Sequence, residues 1–166
     1  MALFQNKKQM VIYIVIFLVL FFGSFLVSKR AMGAESILQL SGGNTLARGP
    51  TEVLDLTVVF PQAGPKGSDF EFGVTMIGTS DYFGKPQPNN FLWHGELVNG
   101  YGNFDVGFGA AYLQKPDIYL GCNLQFTLQL QYRWSSRWVT KIQHFSSAGT
   151  CSPNTGRDMA LIGYRF

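Results

Sequence analysis

Three side chains that could together hydrolyse an ester lie near the carboxy-terminus: His144, Ser146 and Asp158. Alternate side chains of an extended strand share a face, so His144 and Ser146 point the same way if Trp138–Ser146 is a strand. Asp158 begins the next alternating segment, Asp158–Phe166, close to the loop that joins the two. A serine, a histidine and a carboxylate can act as nucleophile, base and orienting acid. The pattern therefore predicts a catalytic site where these two strands meet.

The spacing alone does not settle that interpretation. Residues two apart on a strand are about 6.5 Å apart, so a hydrogen bond between Ser146 and His144 requires the strand to bend at its end. On a lipid-facing surface polar groups are costly, and a cluster of three would indicate function. The alternative is that the three residues lie at a water-exposed rim, where they cost nothing.

Segments of about ten residues that alternate apolar and polar side chains follow one another along the chain, with turn-forming residues between them. The clearest runs from residue 123 to Trp134, with Leu124, Phe126 and Leu128 on one face and glutamines on the other. Seven such segments occur: Thr51–Phe60, Asp69–Ile77, Asn90–Val98, Phe104–Tyr112, Asn123–Trp134, Trp138–Ser146 and Asp158–Phe166. Single-chain barrels of this kind normally have an even strand number, so the weaker pattern of Ser36–Leu46 supplies an eighth. The sequence predicts an eight-stranded antiparallel transmembrane β-barrel.

The composition agrees with β structure and excludes some functions. Aromatic residues make up 15% of the chain and charged residues only 14%, with 19 glycines. Four of the 13 lysines and arginines precede residue 35, which leaves nine against ten acidic residues in the remainder. No basic run remains there, so nucleic-acid binding is not expected.

The first 34 residues have the layout of a signal peptide. Lys7 and Lys8 precede an apolar run from Met10 to Phe22, and Ala31 and Gly33 provide small residues for cleavage. We expect residues 1–34 to be the leader and residues 35–166 the barrel. The alternative is an uncleaved membrane anchor, in which case the β part could be a periplasmic sandwich.

Export also bears on the two cysteines, Cys122 and Cys151. If both barrel termini face the periplasm, these cysteines lie on the same outer rim. Exported cysteines can pair, so a disulfide between them is a hypothesis. Aromatic residues are expected as a girdle at the opposite, inner end: Trp134, Trp138, Tyr164 and Phe166.

The charges on the lumen side divide by strand. Acidic residues come from the second to fifth strands and basic ones from the last three, which predicts an internal ion-pair network, because buried charges need partners. His94 is expected in this lumen, paired with Glu96 or Asp105. No histidine or cysteine set has zinc spacing, so no metal is expected. The network members are Asp55, Glu71, Glu96, Asp105, Arg133, Lys141 and Arg165.

The carboxy-terminal motifs carry a resemblance. Residues 132–166, especially HFSSAG followed by PNTGRD, resemble the outer-membrane lipid A 3-O-deacylase (PagL) family, also called acyloxyacyl hydrolases. The resemblance implies a serine esterase in an eight-stranded barrel that removes the 3-hydroxyacyl chain at position 3 of lipid A. The implied location is the outer membrane, the implied substrate is lipid A or lipopolysaccharide, and no cofactor is implied.

Residue by residue, the resemblance implies Ser146 as nucleophile, His144 as general base and Asp158 as the acid that orients it. The backbone amides of Ser147 and Gly149 would form the oxyanion hole. This chain has Ser147 where the family usually has asparagine, and Asp158 where it usually has glutamate. The shorter carboxylate must then reach about one methylene further. The competing hypothesis is a non-enzymatic small outer-membrane barrel with a structural or binding role.

Overall fold

The structure, a computed structural model, describes residues 35–46, 50–82 and 85–166, with the backbone alone at 80–82, 85 and 86. The expected signal peptide, residues 1–34, lies outside the described residues. Among those that are described, no helix is both long and apolar enough to cross a membrane.

Ten strands form along the described chain, and a short 3₁₀ turn, Pro65–Gly67, follows the second of them. The strands are β1 (Ile37–Thr45), β2 (Glu52–Phe60), β3 (Asp69–Ile77), β4 (Ser80–Tyr82), β5 (Lys85–Gln87), β6 (Asn90–Tyr101), β7 (Phe104–Leu113), β8 (Leu124–Arg133), β9 (Trp138–Ser146) and β10 (Arg157–Arg165). The short strands β4 and β5 pair as a small hairpin in a segment that the sequence analysis treats as a loop.

The eight long strands close into an antiparallel barrel, as predicted. Each pairs with its neighbour along the chain, and β1 pairs with β10 to complete the ring. That closing pair runs from Gln39 opposite Arg165 to Thr45 opposite Met159. The weakly patterned first segment is therefore a full strand, because two neighbouring edges supply its hydrogen-bond partners.

The two faces of each strand differ as the alternation predicts. Apolar side chains such as Phe108, Leu128 and Ile162 are exposed on the outer surface, whereas Asp55 and Gln129 are buried inside. In a membrane barrel the outer surface meets lipid, so exposure of these apolar side chains carries no penalty. Both ends of the barrel chain, Ile37 and Arg165, lie at one end, here called the terminal end. The three longest connections between barrel strands, residues 78–89, 114–123 and 147–156, lie at the opposite end, here called the loop end.

The barrel interior has two layers, where the sequence analysis expects a polar lumen throughout. Near the loop end the interior is apolar, and Tyr119 and Leu120 from the β7–β8 loop are buried in that layer. The other members of the layer are inward-facing apolar residues near the loop ends of the barrel strands, and residues of the loops cover them. The layer consists of Val53, Ile77, Leu92, Ala111, Leu113, Tyr119, Leu120, Phe145, Met159 and Leu161.

The polar layer contains the predicted ion-pair network. Lys141 Nζ lies 2.7 Å from Asp55 Oδ2, and His94 Nε2 lies 3.0 Å from Asp55 Oδ1. His94 Nδ1 lies 3.3 Å from Glu96 Oε1. Of the two partners expected for His94, Glu96 is confirmed, but the place of Asp105 is taken by Asp55. Asp105 instead pairs with an arginine, its Oδ2 lying 3.2 Å from Arg133 Nε.

Candidate active site

The register of β9 and β10 places His144 directly opposite Asp158. Directly opposed side chains in an antiparallel pair have Cβ atoms about 4.5–5.5 Å apart, which two short polar side chains can span. His144 Nδ1 and Asp158 Oδ1 are 2.7 Å apart. Both side chains lie on the outer face, 42% and 53% exposed. The aspartate therefore reaches the imidazole without the extra methylene of a glutamate.

Ser146 is the last residue of β9, on the same outer face as His144. Its Oγ donates a hydrogen bond to Asn154 Oδ1 at 3.1 Å and accepts one from the Ala148 amide at 3.1 Å. No hydrogen bond among the described residues joins Ser146 to His144. The structure thus brings the histidine and the carboxylate together and holds the serine against an asparagine.

The turn after Ser146 bears the amides expected to form an oxyanion hole. Ala148 and Gly149 have φ angles of 51° and 81°, and Ser147 O accepts the Thr150 amide at 3.0 Å. The Ser147 amide donates to Asn154 Oδ1 at 2.9 Å, so this expected donor is occupied in the resting site. The Gly149 amide makes no hydrogen bond within the described part of the chain.

Asn154 is the site residue that sequence reasoning missed. Its Oδ1 accepts hydrogen bonds from both Ser146 Oγ and the Ser147 amide. The segment PNTG has the composition of an ordinary turn, which concealed the role of Asn154. The sequence signal that could have found it is an asparagine in the loop that leads to Asp158. The distance of this asparagine from Ser146, however, depends on how the loop folds.

Gly156 lies against the imidazole of His144. A Cβ at this position would lie 2.6 Å from His144 Cε1 and 3.4 Å from Nε2. Its φ of 71° is also in the left-handed region, which favours glycine. Gly156 therefore leaves room for the ring edge that bears Nε2.

The loop of residues 147–156 is joined to the β7–β8 loop of residues 114–123. Cys122 and Cys151 form a disulfide, with Cα atoms 5.9 Å apart. The Gly121 amide donates to Pro153 O at 2.8 Å, close to this disulfide. The two loops that border the site are thus connected both covalently and through the backbone.

Apolar side chains flank the polar site on the barrel wall. On β8, Phe126 lies opposite Ser146 and Leu128 lies opposite His144. Phe126 and Leu128 are 55% and 54% exposed. The site therefore combines an acid–base pair and a hydroxyl with an apolar surface. Within the described ranges, no group of three or more His, Cys, Asp or Glu side chains is arranged to hold a metal ion.

Comparison with known proteins gives two positive findings. The family model described as lipid A 3-O-deacylase (PagL) matches residues 90–166, which span β6 to β10 and contain His144, Ser146 and Asp158. The structure is similar to the crystal structure of the outer membrane enzyme PagL, with a TM-score of 0.56 and 17% sequence identity. That match covers 78% of this chain and 98% of the other. At this identity the structural likeness bears on the fold. None of the curated proteins matches the sequence significantly.

Proposed function

Because the chain belongs to the lipid A 3-O-deacylase (PagL) family, we propose that it is a serine esterase of the outer membrane. Its substrate is lipid A, from which it removes the ester-linked 3-hydroxyacyl chain at position 3. The observation that carries this proposal is the 2.7 Å contact between His144 Nδ1 and Asp158 Oδ1, two residues along β9 from Ser146.

The Asp158 contact determines which imidazole nitrogen acts as the base. A carboxylate that accepts a hydrogen bond from Nδ1–H keeps the proton there and leaves Nε2 as the acceptor. Asp158 also stabilises the imidazolium that forms when Nε2 takes a proton. His144 is therefore the general base and Asp158 its positioning residue.

The first half of the reaction transfers the acyl chain to the enzyme. Ser146 Oγ turns from Asn154 towards His144, Nε2 takes its proton, and Oγ bonds to the ester carbonyl carbon. The bond between that carbon and the sugar oxygen then breaks, and the sugar oxygen takes the proton from Nε2. The product is an acyl-enzyme at Ser146 and a lipid A with one free hydroxyl.

The second half releases the fatty acid. His144 Nε2 takes a proton from a water molecule, whose oxygen bonds to the acyl carbonyl carbon. The bond to Ser146 Oγ breaks, and the proton on Nε2 returns to that oxygen. A 3-hydroxy fatty acid leaves, and the site returns to its starting state.

Backbone amides of the turn stabilise the negative oxygen that forms in each half. The Gly149 amide is free for this role, whereas the Ala148 amide donates to Ser146 Oγ at 3.1 Å and is occupied in the resting site. The Ser147 amide contributes only if Asn154 Oδ1 releases it. We therefore assign the oxyanion donors to Gly149 and, once Asn154 Oδ1 releases it, to Ser147, with Asn154 holding the turn and the nucleophile in place before the reaction.

The outward position of the site suits a substrate that resides in the bilayer. Phe126 and Leu128 flank Ser146 and His144 on the wall and are exposed where lipid would contact them. An acyl chain can lie along this surface while its ester carbonyl reaches Ser146. The lipid then needs no passage through the barrel, whose interior is filled by side chains.

The test is mass spectrometry of lipid A from a Gram-negative host that expresses the full chain, the Ser146→Ala variant or the His144→Ala variant. Loss of one 3-hydroxyacyl group is expected with the unmodified chain. Removal of a catalytic serine or histidine lowers turnover by about 10⁶-fold in serine hydrolases, so both variants should leave lipid A intact.

Thr140→Val is the matched control, because it removes a hydroxyl from the same strand, β9, away from the site. This variant should deacylate lipid A as the unmodified chain does. Intact lipid A in every strain, with the barrels inserted at equal levels, would contradict the proposal and favour a structural or binding barrel.

A further inference from the structure

A buried ion pair that takes no part in the reaction connects the β7–β8 loop to the start of β10. Arg157, the first residue of β10, has its Nη2 2.9 Å from Asp117 Oδ2 in the β7–β8 loop. Their side chains are only 3% and 9% exposed. The Arg157 guanidinium also stacks over Tyr119, with Cζ 4.5 Å from the ring centroid. Burying a charge pair this fully costs free energy of desolvation. We therefore ask which part of the structure the pair positions.

The other oxygen of the same carboxylate shapes the loop. Asp117 Oδ1 accepts the amides of Tyr119 at 2.8 Å and Leu120 at 2.9 Å. The Asp117 amide in turn donates to Leu120 O at 3.0 Å. One carboxylate therefore fixes the backbone of the turn 117–120 while its second oxygen holds Arg157.

That turn holds the loop containing Asn154. Leu120 and Asn154 form an antiparallel bridge, and the Thr155 amide donates to Tyr119 O at 3.1 Å. Backbone hydrogen bonds to the turn 117–120 thus hold the backbone of Asn154 in place. Its side chain then orients Ser146 Oγ and the Ser147 amide.

We propose that Asp117 and Arg157 are positioning residues for the esterase reaction. The inference rests on the proposed function and extends it to residues outside the catalytic group. Their ion pair fixes the turn 117–120, the turn fixes Asn154, and Asn154 sets Ser146 and the following turn. Arg157 also directly precedes Asp158, so the same contact holds the start of the strand that bears the carboxylate.

Two features separate this role from barrel stability. The eight pairings that close the barrel are made by strand backbones, and the turn 117–120 belongs to none of them, although Tyr119 and Leu120 pack in the apolar layer of the interior. The Cys122–Cys151 disulfide keeps the two loops joined when the ion pair is lost. Loss of the pair should therefore shift the site while the barrel stays closed and the loops stay connected.

The experiment compares Asp117→Asn and Arg157→Lys with the unmodified full chain in mixed micelles that contain lipid A. Asp117→Asn keeps an oxygen for the two turn amides but loses the charge that holds Arg157. Because an error of about 1 Å in a reacting group can cost 10²-fold, we expect kcat to fall by about 10- to 100-fold with KM little changed. Arg157→Lys keeps the charge and should retain more activity than Asp117→Asn.

A second readout does not depend on lipid binding. The rate at which a small fluorophosphonate labels Ser146 should fall in parallel with kcat in Asp117→Asn. Asp69→Asn is the matched control, because Asp69 Oδ1 also accepts a turn amide, that of Gln62 at 2.9 Å, near the terminal end. This control should match the unmodified chain in both readouts.

The outcomes separate this inference from the proposed function. An unmodified chain that neither deacylates lipid A nor reacts with the fluorophosphonate would overturn the proposed function itself. An active unmodified chain, with Asp117→Asn equal to it in kcat and labelling per folded barrel, would overturn only the positioning role. The same holds if Asp117→Asn lowers the yield of folded barrel but leaves both rates per folded barrel unchanged.

Discussion

At the scale of single residues, the site depends on short side chains brought close by register. Asp158 meets His144 because the two are directly opposed on neighbouring strands. Gly156 leaves the opposite edge of the imidazole clear, and Asn154 holds the nucleophile. Each of these contacts can be tested separately, because each positions a different reacting atom.

Replacing Asp158 by asparagine should lower kcat strongly without unfolding the barrel. An amide in this place favours the wrong tautomer of His144, a change that costs about 10⁴-fold in a serine protease. The measurement is initial-rate kinetics on lipid A with equal amounts of folded protein. Glu52→Gln, an exposed carboxylate at the start of β2, serves as control. A kcat for Asp158→Asn within a few-fold of the unmodified value would contradict the assigned role.

Gly156→Ala should lower kcat more than its strain explains. The new Cβ would lie 2.6 Å from His144 Cε1, so the ring must move away from Ser146. Gly102→Ala is the matched control, because Gly102 also has a positive φ, 64°, but a Cβ there meets nothing within 4 Å. Kinetics and thermal unfolding measured together separate the two effects. Equal losses of activity in the two variants would mean that the ring contact is unimportant.

Asn154→Ala should slow the reaction, and Asn154→Asp should slow it less. Alanine removes the acceptor for Ser146 Oγ and the Ser147 amide, whereas aspartate keeps an oxygen in the same place. A misplacement of about 1 Å in a reacting group can cost about 10²-fold in rate, so we expect kcat to fall by up to that factor. Fluorophosphonate labelling of Ser146 measures the effect without lipid. Asn154→Ala labelled as fast as the unmodified chain would exclude the positioning role.

At the scale of elements, the two faces of a single strand, β9, have different roles. On β9, His144 and Ser146 face outward, while Lys141 and Gln143, which precede them along the strand, are buried in the lumen. The outer row serves the reaction and the inner row fills the barrel. A substitution on the inner face should therefore leave the activity unchanged, and one on the outer face should leave the packing of the lumen unchanged.

Lys141→Met tests this separation. Removing one partner of a buried ion pair typically costs about 3–5 kcal/mol. Asp55 keeps its contact with His94, so the barrel should lose stability towards the lower end of that range. Urea unfolding in detergent measures the loss, and activity per folded barrel should stay unchanged. The double variant Asp55→Asn with Lys141→Met should recover part of the stability. A stability loss in the double variant as large as in Lys141→Met would contradict the pairing argument.

At the scale of the whole molecule, strand pairing closes the barrel and the disulfide does not. β1 and β10 are joined along their length, from Gln39 opposite Arg165 to Thr45 opposite Met159. Cys122 and Cys151 lie in loops outside this seam. The fold therefore has two independent sources of order, one for the ring and one for the loops beside the site.

Gel migration tests this separation of ring and loops. The unheated protein should run faster than the heated one, and reductant should not abolish the fast band, because the seam consists of backbone hydrogen bonds. A boiled, reduced sample provides the position of the unfolded chain. Loss of the fast band on reduction alone would mean that the disulfide is needed to keep the ring closed.

The sequence by itself determined the elements and much of the chemistry. A strict period of two fixes which side chains share a face, so the barrel, its outer apolar surface and the presence of an ion-pair network in its lumen could be predicted from the sequence. The shared face of His144 and Ser146 follows from the same rule. The sequence also predicts Asp158 as the carboxylate of the site, because Asp158 begins the next alternating segment.

The tertiary structure alone decided the contacts that depend on loops and register. The contact of Asp158 with His144 needed the exact pairing of β9 with β10, and the partner of His94 depended on which strands meet across the lumen. Asn154 and the Asp117–Arg157 pair come from loops, whose paths no periodic pattern encodes. A period constrains neighbours along a strand, whereas a contact between loops depends on how the whole ring closes around them.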